Sequence, residues 1–239
     1  MGPFSLPETW ARDELTLLME HAHRNRVATF VNKPEFQRLI EIEKCFREVS
    51  LGWLNPSDRV GALLLMRSHA SFFAACEMAA ASMLAETFPH IRSCIENAGY
   101  ALHINLTPGL AETWLRRHDD DKSKAAVRAA FAVGKVRASI SSKDRHTAKV
   151  FDRLYEEAVD FGAHPNERSV TGSLRIQDTE QGHELHQLWF HGDGPALDLA
   201  LVTTGRAGIC ALQILQNVFP ARFELLGVNA AILSLRRGL

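Results

Sequence analysis

Arg92 and Glu96 stand one helical turn apart inside the apolar stretch Phe88 to Leu106, and Phe161-Gly162-Ala163-His164-Pro165-Asn166 sets a histidine directly before a proline. An unpaired charge in so apolar a stripe would cost several kcal/mol or force a change of protonation, so Arg92 and Glu96 are expected to meet each other. A residue before proline is pushed into extended backbone, and a cation just past a helix C-terminus is favoured, so His164 is placed for either chemistry or capping. Brought together, His164, Asn166, Arg92 and Glu96 could form a pocket with an acid/base, a hydrogen-bonding amide and an anion anchor. The plainer alternative is a loop that caps its helix, and no spacing ties the two segments together.

Metal-binding patterns are thin. Glu20-His21-Ala22-His23 puts a Glu-x-x-His on a helix, but carboxylate-bridged di-iron bundles need a second such helix, and the second match, Glu180 to His183, falls in a turn. His183 and His186 would point to opposite faces of a strand, which argues against a zinc ion shared among them and His191. Asp119, Asp120 and Asp121 diverge around a helix start, where capping accounts for them. No metal or cofactor is expected. There is no G-x-S-x-G, P-loop, G-x-G-x-x-G or Cys/His pair at family spacing, so hydrolase, NTPase and dehydrogenase readings have no support.

Charge distribution says more than any motif. The formal net charge of -1 conceals an acidic start, with Glu35, Glu41, Glu43 and Glu48 on one helix, and a basic middle. Lys124, Arg128 and Lys135 share a helical face, and Arg145, Lys149 and Arg153 stand at successive turns of the next helix. Such stripes could track the phosphates of RNA or another polyanion. Alternatively they are a solvated face, or meet the acidic face of the same or a second subunit.

These residues must be positioned by helices. Phe88–Leu106 has too many apolar sides to lie on a surface, with Thr87 expected as N-cap, Pro89 in the first turn and Thr107-Pro108 as the stop. Further helices are expected from Glu8 to about Thr29, Pro34 to Gly52 (with Asn55-Pro56 beyond), Asp58 to about Ala85, Pro108 to His118, Asp119 to about Ile140, and Ser141 to Phe161 with Gly162 as C-cap. Two more follow from Pro195 to about Phe219 and from Pro220 through Leu235. Alternation at Ser173–Gln177 and Glu184–Phe190, across the turn-rich Asp178-Thr179-Glu180-Gln181-Gly182, predicts one β-hairpin. The fold class is therefore all-α, a single domain over 1–239 with about eight helices and a hairpin insertion near 173–190.

Isolated, apolar-flanked Cys45, Cys76, Cys94 and Cys210 read as reduced thiols of a cytoplasmic protein, and charges from Glu8 to Glu14 interrupt any leader. Met1-Gly2 suggests myristoylation, but Leu6 stands where the motif wants Ser or Thr. The apolar run Leu197–Val218 is broken by Asp198, Arg206 and Gln213, short of the roughly 18 residues of a membrane span, so no membrane partner is expected.

Ile91-Arg92-Ser93-Cys94-Ile95-Glu96 with Tyr100, Pro108 and Trp114, and then Leu154-Tyr155 with Phe161 to Asn166, resembles a group of uncharacterised bacterial helical proteins. Those in turn are distantly similar to the HEPN superfamily of helical bundles, some members of which are dimeric ribonucleases of toxin–antitoxin and antiphage systems. Catalytic members carry an Arg and a His at a fixed short spacing that no Arg in this chain meets, so the resemblance carries over no catalytic residue. Two functions follow as expectations. The first is a non-catalytic, self-associating accessory or regulatory protein, its subunits packing through the small residues Ala200, Gly205, Ala207, Gly208 and Ala211. The second is a HEPN-like RNA- or nucleotide-directed protein that binds through the basic stripes and uses His164, Arg92 and Glu96 for phosphodiester chemistry.

Overall fold

A computed structural model of the chain describes residues 7–54 and 56–237; Met1, Gly2, Leu6 and Asn55, discussed above, lie outside the described residues. Three helices open the fold: α1 (Glu14–Asn32), α2 (Pro34–Ser50) and α3 (Arg59–Ala80). Asp13 and Asp58 cap α1 and α3 by accepting from the Thr16 and Gly61 amides at 2.9 and 2.7 Å, and Pro34 begins α2 where its missing N–H costs nothing. Then come α4 (Leu84–Leu106), α5 (Leu110–Leu115) with a 3₁₀ turn at Arg116–His118, α6 (Asp121–Ala130), α7 (Val133–Lys143), and α8 (Arg145–Ala158) with a π turn at Val159–Ala163. The chain continues through α9 (Glu167–Thr171), β1 (Leu174–Thr179), β2 (Gly182–Gln187), α10 (Pro195–Leu215), α11 (Pro220–Leu225) and α12 (Val228–Leu235). The fold is thus 74% helical, with twelve helices and one two-stranded hairpin among the described residues, against about eight helices expected.

The helix count rises because three breaks carry weak local signals. The predicted 119–140 helix divides at Phe131, whose ring turns inward against Tyr100 (4.6 Å between centroids) and edge-on to His103 (5.5 Å). The predicted 220–235 helix divides at Gly227, which takes φ +69°, a conformation nearly free for glycine. Five-residue α9 is too short for periodicity to announce, yet Asn166 and Ser169 cap it reciprocally.

Helix α4 is the axle of the bundle. It packs against α3, α10, α7, α8 and the π turn, and Ile91, Cys94, Ile95, Ala98, Ala101 and Leu102 are wholly buried. Its start differs from the expectation. Ser82, at φ +63°, reverses the chain out of α3, and α4 begins at Leu84, so Thr87 lies within the helix and its hydroxyl donates back to the Met83 carbonyl at 2.8 Å. Pro89 therefore has no N–H to offer the Ala85 carbonyl one turn back. Gly162 of the π turn lies against that same carbonyl, where a Cβ would fall 2.1 Å from the oxygen.

The small residues of α10 are used inside the chain. Ala200, Gly205, Ala207, Gly208 and Ala211 are all buried, and a Cβ on Gly208 would stand 2.5 Å from the Phe72 ring of α3. Helix α10 is long and apolar enough to cross a membrane, but 78% of its apolar window is buried among the other helices. The hairpin stands off from this core: Ile176 pairs with Leu185 across the strands and both remain exposed. Its return is anchored at the α3–α4 turn, where the Ser82 carbonyl accepts from the His191 amide at 3.0 Å and the Ser82 hydroxyl donates to the Gly192 carbonyl at 2.9 Å.

Candidate functional site

Arg92 and Glu96 meet as expected. The Arg92 Nε donates to Glu96 Oε1 at 3.0 Å, and Arg92 Nη2 donates to the Tyr155 hydroxyl of α8 at 2.8 Å, with the guanidinium 4.7 Å from the Tyr155 ring centre. Burial disfavours the charge, but the Glu96 hydrogen bond and carboxylate outweigh it and hold the Arg92 pKa above its ordinary value. Burial also raises the phenols of Tyr155 and Tyr100, and the Glu96 carboxylate adds to both. The cluster joins α4 to α8 and commits the guanidinium, so an incoming anion would have to compete with Glu96.

His164 and Asn166 are placed differently. His164 is exposed in extended backbone, as its pre-proline position dictates, with Nδ1 3.2 Å from the Pro165 carbonyl. The Asn166 side chain is spent on structure: Oδ1 accepts from the Ser169 amide, and Nδ2 donates to the Val159 and His164 carbonyls at 2.6 and 3.2 Å. Phe161 stacks on Phe88, which brings the π turn to the same end of α4 as Arg92. Among the described residues no hydrogen bond or ion pair joins His164 or Asn166 to Arg92 or Glu96. Asn166 is thus the N-cap of the following helix, α9.

All six basic positions, Lys124, Arg128, Lys135, Arg145, Lys149 and Arg153, are exposed, and of these Arg153 alone meets a carboxylate among the described residues, Glu157 at 3.8 Å. The fold distributes them. Arg128 opens onto a cleft with Tyr100, Trp114, Arg117, His118 and Phe131, while Lys149 and Arg153 open onto another between α8, α10 and the end of α12. The second cleft, of about 300 Å³, takes Arg206 and Gln213 from α10. These had stood out in the sequence as interruptions of an apolar run; seven residues apart, they share one helical face.

The acid–base and thiol inventory is otherwise structural. His103 is buried, its Nε2 3.1 Å from the Ala130 carbonyl, which can only accept, and its Nδ1 2.7 Å from the Ser139 hydroxyl. Burial pushes the Cys45 thiol up to about 11 and the Cys94 thiol up to about 12, away from nucleophilic thiolate character. His183 pairs with Asp178 at 2.6 Å and His186 with Glu184 at 3.3 Å on the hairpin, and among the described residues no three His, Cys, Asp or Glu side chains gather as metal ligands. Compared with protein families, characterised proteins and solved structures, the chain gives no significant match to any of them.

Proposed function

We propose that this is a non-catalytic, self-associating helical protein with an accessory or regulatory role, and that copies meet through α1. The observation that carries this reading is an exposed apolar row. Leu15, Met19, Val27 and Val31 lie at i, i+4 spacing, interrupted at His23, with Phe30 alongside, and they are 61%, 47%, 51%, 70% and, for Phe30, 60% exposed. Just two residues of α1, Ala22 and Thr29, are buried. Four-residue steps turn about 40° each, so these side chains wind round α1 over about 24 Å at 1.5 Å per residue, and exposed apolar side chains grouped in this way on a surface mark a contact with something else. A two-fold pair would lay the row of one copy against the same row of the other. The α10 small residues expected to make this contact fill the interior instead, which is why α1 carries the proposal. Sedimentation of a Met19→Asp/Val31→Asp variant tests it: a monomer that keeps its helical circular dichroism is expected, and an unchanged association state would move the contact elsewhere.

A second reading, an RNA- or other polyanion-binding protein of the HEPN-like kind, is favoured by the five cations that meet no carboxylate among the described residues. Single-stranded RNA affinity should then fall by roughly 0.7 log unit per log unit of salt for each phosphate neutralised. A Lys124→Glu/Arg145→Glu variant should weaken binding to all sequences alike, since phosphate contacts carry no base information. Salt-independent or absent binding would remove this reading.

A further inference from the structure

We infer that the cleft between α8, α10 and the end of α12 is a binding site for the di- or triphosphate group of a soluble small molecule. Its polar wall consists of His146, Lys149 and Arg153 from α8, Arg206 and Gln213 from α10, and Arg236 just past α12. Four cationic side chains and a histidine thus line one concavity, with no carboxylate among the described residues of its wall. Gathering like charges with few counter-charges nearby among the described residues, Glu157 at 3.8 Å from Arg153 and Asp144 beside His146, raises the electrostatic energy of the empty protein. An anion seated among them would relieve it.

Two further groups point to a missing partner. Gln213 is 7% exposed, lines the cleft, and its side-chain amide makes no hydrogen bond among the described residues. Arg206 Nε is fully covered and likewise has no acceptor. Buried donors are almost always satisfied, so Arg206 Nε, on a residue that lines the cleft, is a donor lacking its acceptor, and the Gln213 amide, not itself fully covered, adds hydrogen-bonding groups to the same wall. Phosphate fits the donors better than a carboxylate does, since arginine forks and an ammonium can share three oxygens per phosphorus and more than one negative charge. The volume, about 300 Å³, is at the lower end of small-molecule clefts of roughly 300–1,000 Å³. Val150 and Ile209 supply an apolar floor on which the non-phosphate part of a ligand can lie. The ligand is therefore a compact phosphorylated molecule rather than a strand, because Lys124, Arg128 and Lys135, which a strand would also need, belong to other elements and open elsewhere. This inference stands whether or not copies associate.

The test is titration calorimetry of the full chain with tripolyphosphate, pyrophosphate and sulfate at fixed ionic strength, alongside a short single-stranded RNA carrying no terminal phosphate. Tripolyphosphate and pyrophosphate should bind more tightly than sulfate, and Arg206→Gln or Arg236→Gln should each weaken them about tenfold or more, as loss of a charged hydrogen bond implies. Gln213→Leu keeps every charge and removes an amide that lines the cleft, so it should weaken pyrophosphate while leaving the helical circular dichroism unchanged. Lys124→Gln, outside the cleft, should leave both phosphates unaffected. Equal binding of sulfate and pyrophosphate, unchanged affinity in both arginine variants, or RNA binding that depends on Arg206 and is not displaced by tripolyphosphate would each overturn the assignment.

Discussion

His69 of α3 lies flat on Phe46 of α2, with ring centres 5.3 Å apart, and its Nε2 is 3.4 Å from Glu43. Burial wins over that carboxylate, so the imidazole pKa falls below its ordinary 6.5. His90 is lowered too, by burial and then by Arg67. For a base depressed in the folded state, the unfolded chain holds more protons between the two pKa values, so stability rises with pH there. The stability is complete above 6.5 and is lost as pH falls from 6.5 toward the folded value. Denaturant midpoints should therefore drop between pH 7 and 5.5, and His69→Gln should remove part of that slope; a slope unchanged in the variant would place the effect elsewhere. None of this was legible in the sequence, where His69 has no motif, since the Phe46 ring that covers it comes from another helix. The Arg92–Glu96 pair was legible because its spacing is local; its Tyr155 partner, on α8, was not.

At the scale of elements, caps and hydrophobic period carried the prediction. Pro34 and Asp58 marked two starts correctly because each acts on its own first turn, whereas the first helix, expected from Glu8, begins at Glu14 with Asp13 as its cap. Thr87-Phe88-Pro89 misled because it reads as a helix start, whereas α4 begins a turn earlier at Leu84, which packs half-buried against the core. Leu102, wholly buried on α4, should cost about 2–5 kcal/mol when changed to Ala, read from a denaturant midpoint that an exposed helix would leave unmoved. Gly208→Ala should cost about 1–3 kcal/mol, since its methyl would press on Phe72 and Ile42. No loss on that change would mean α10 can withdraw from α3.

For the whole molecule, composition and periodicity indicated an all-α bundle with a hairpin near 173–190, as the fold shows. They did not indicate where its surfaces would gather. The α8–α10–α12 cleft draws on segments from His146 to Arg236, and no spacing rule links residues so far apart in the chain. Self-association was expected from the small residues of α10, but small residues report close packing without saying whether the neighbour is the same chain or another. The apolar side chains of α1 are among those left uncovered once the bundle is closed, as are Leu63, Met66 and Phe73 of α3, and self-association through α1 is the proposal. Light scattering of the unaltered chain from sub-micromolar to about 50 micromolar tests it most directly, that range spanning Kd values typical of modest interfaces. The expected result is a mass rising to twice the 26.6 kDa of one chain, and a mass that stays at 26.6 kDa throughout would contradict it.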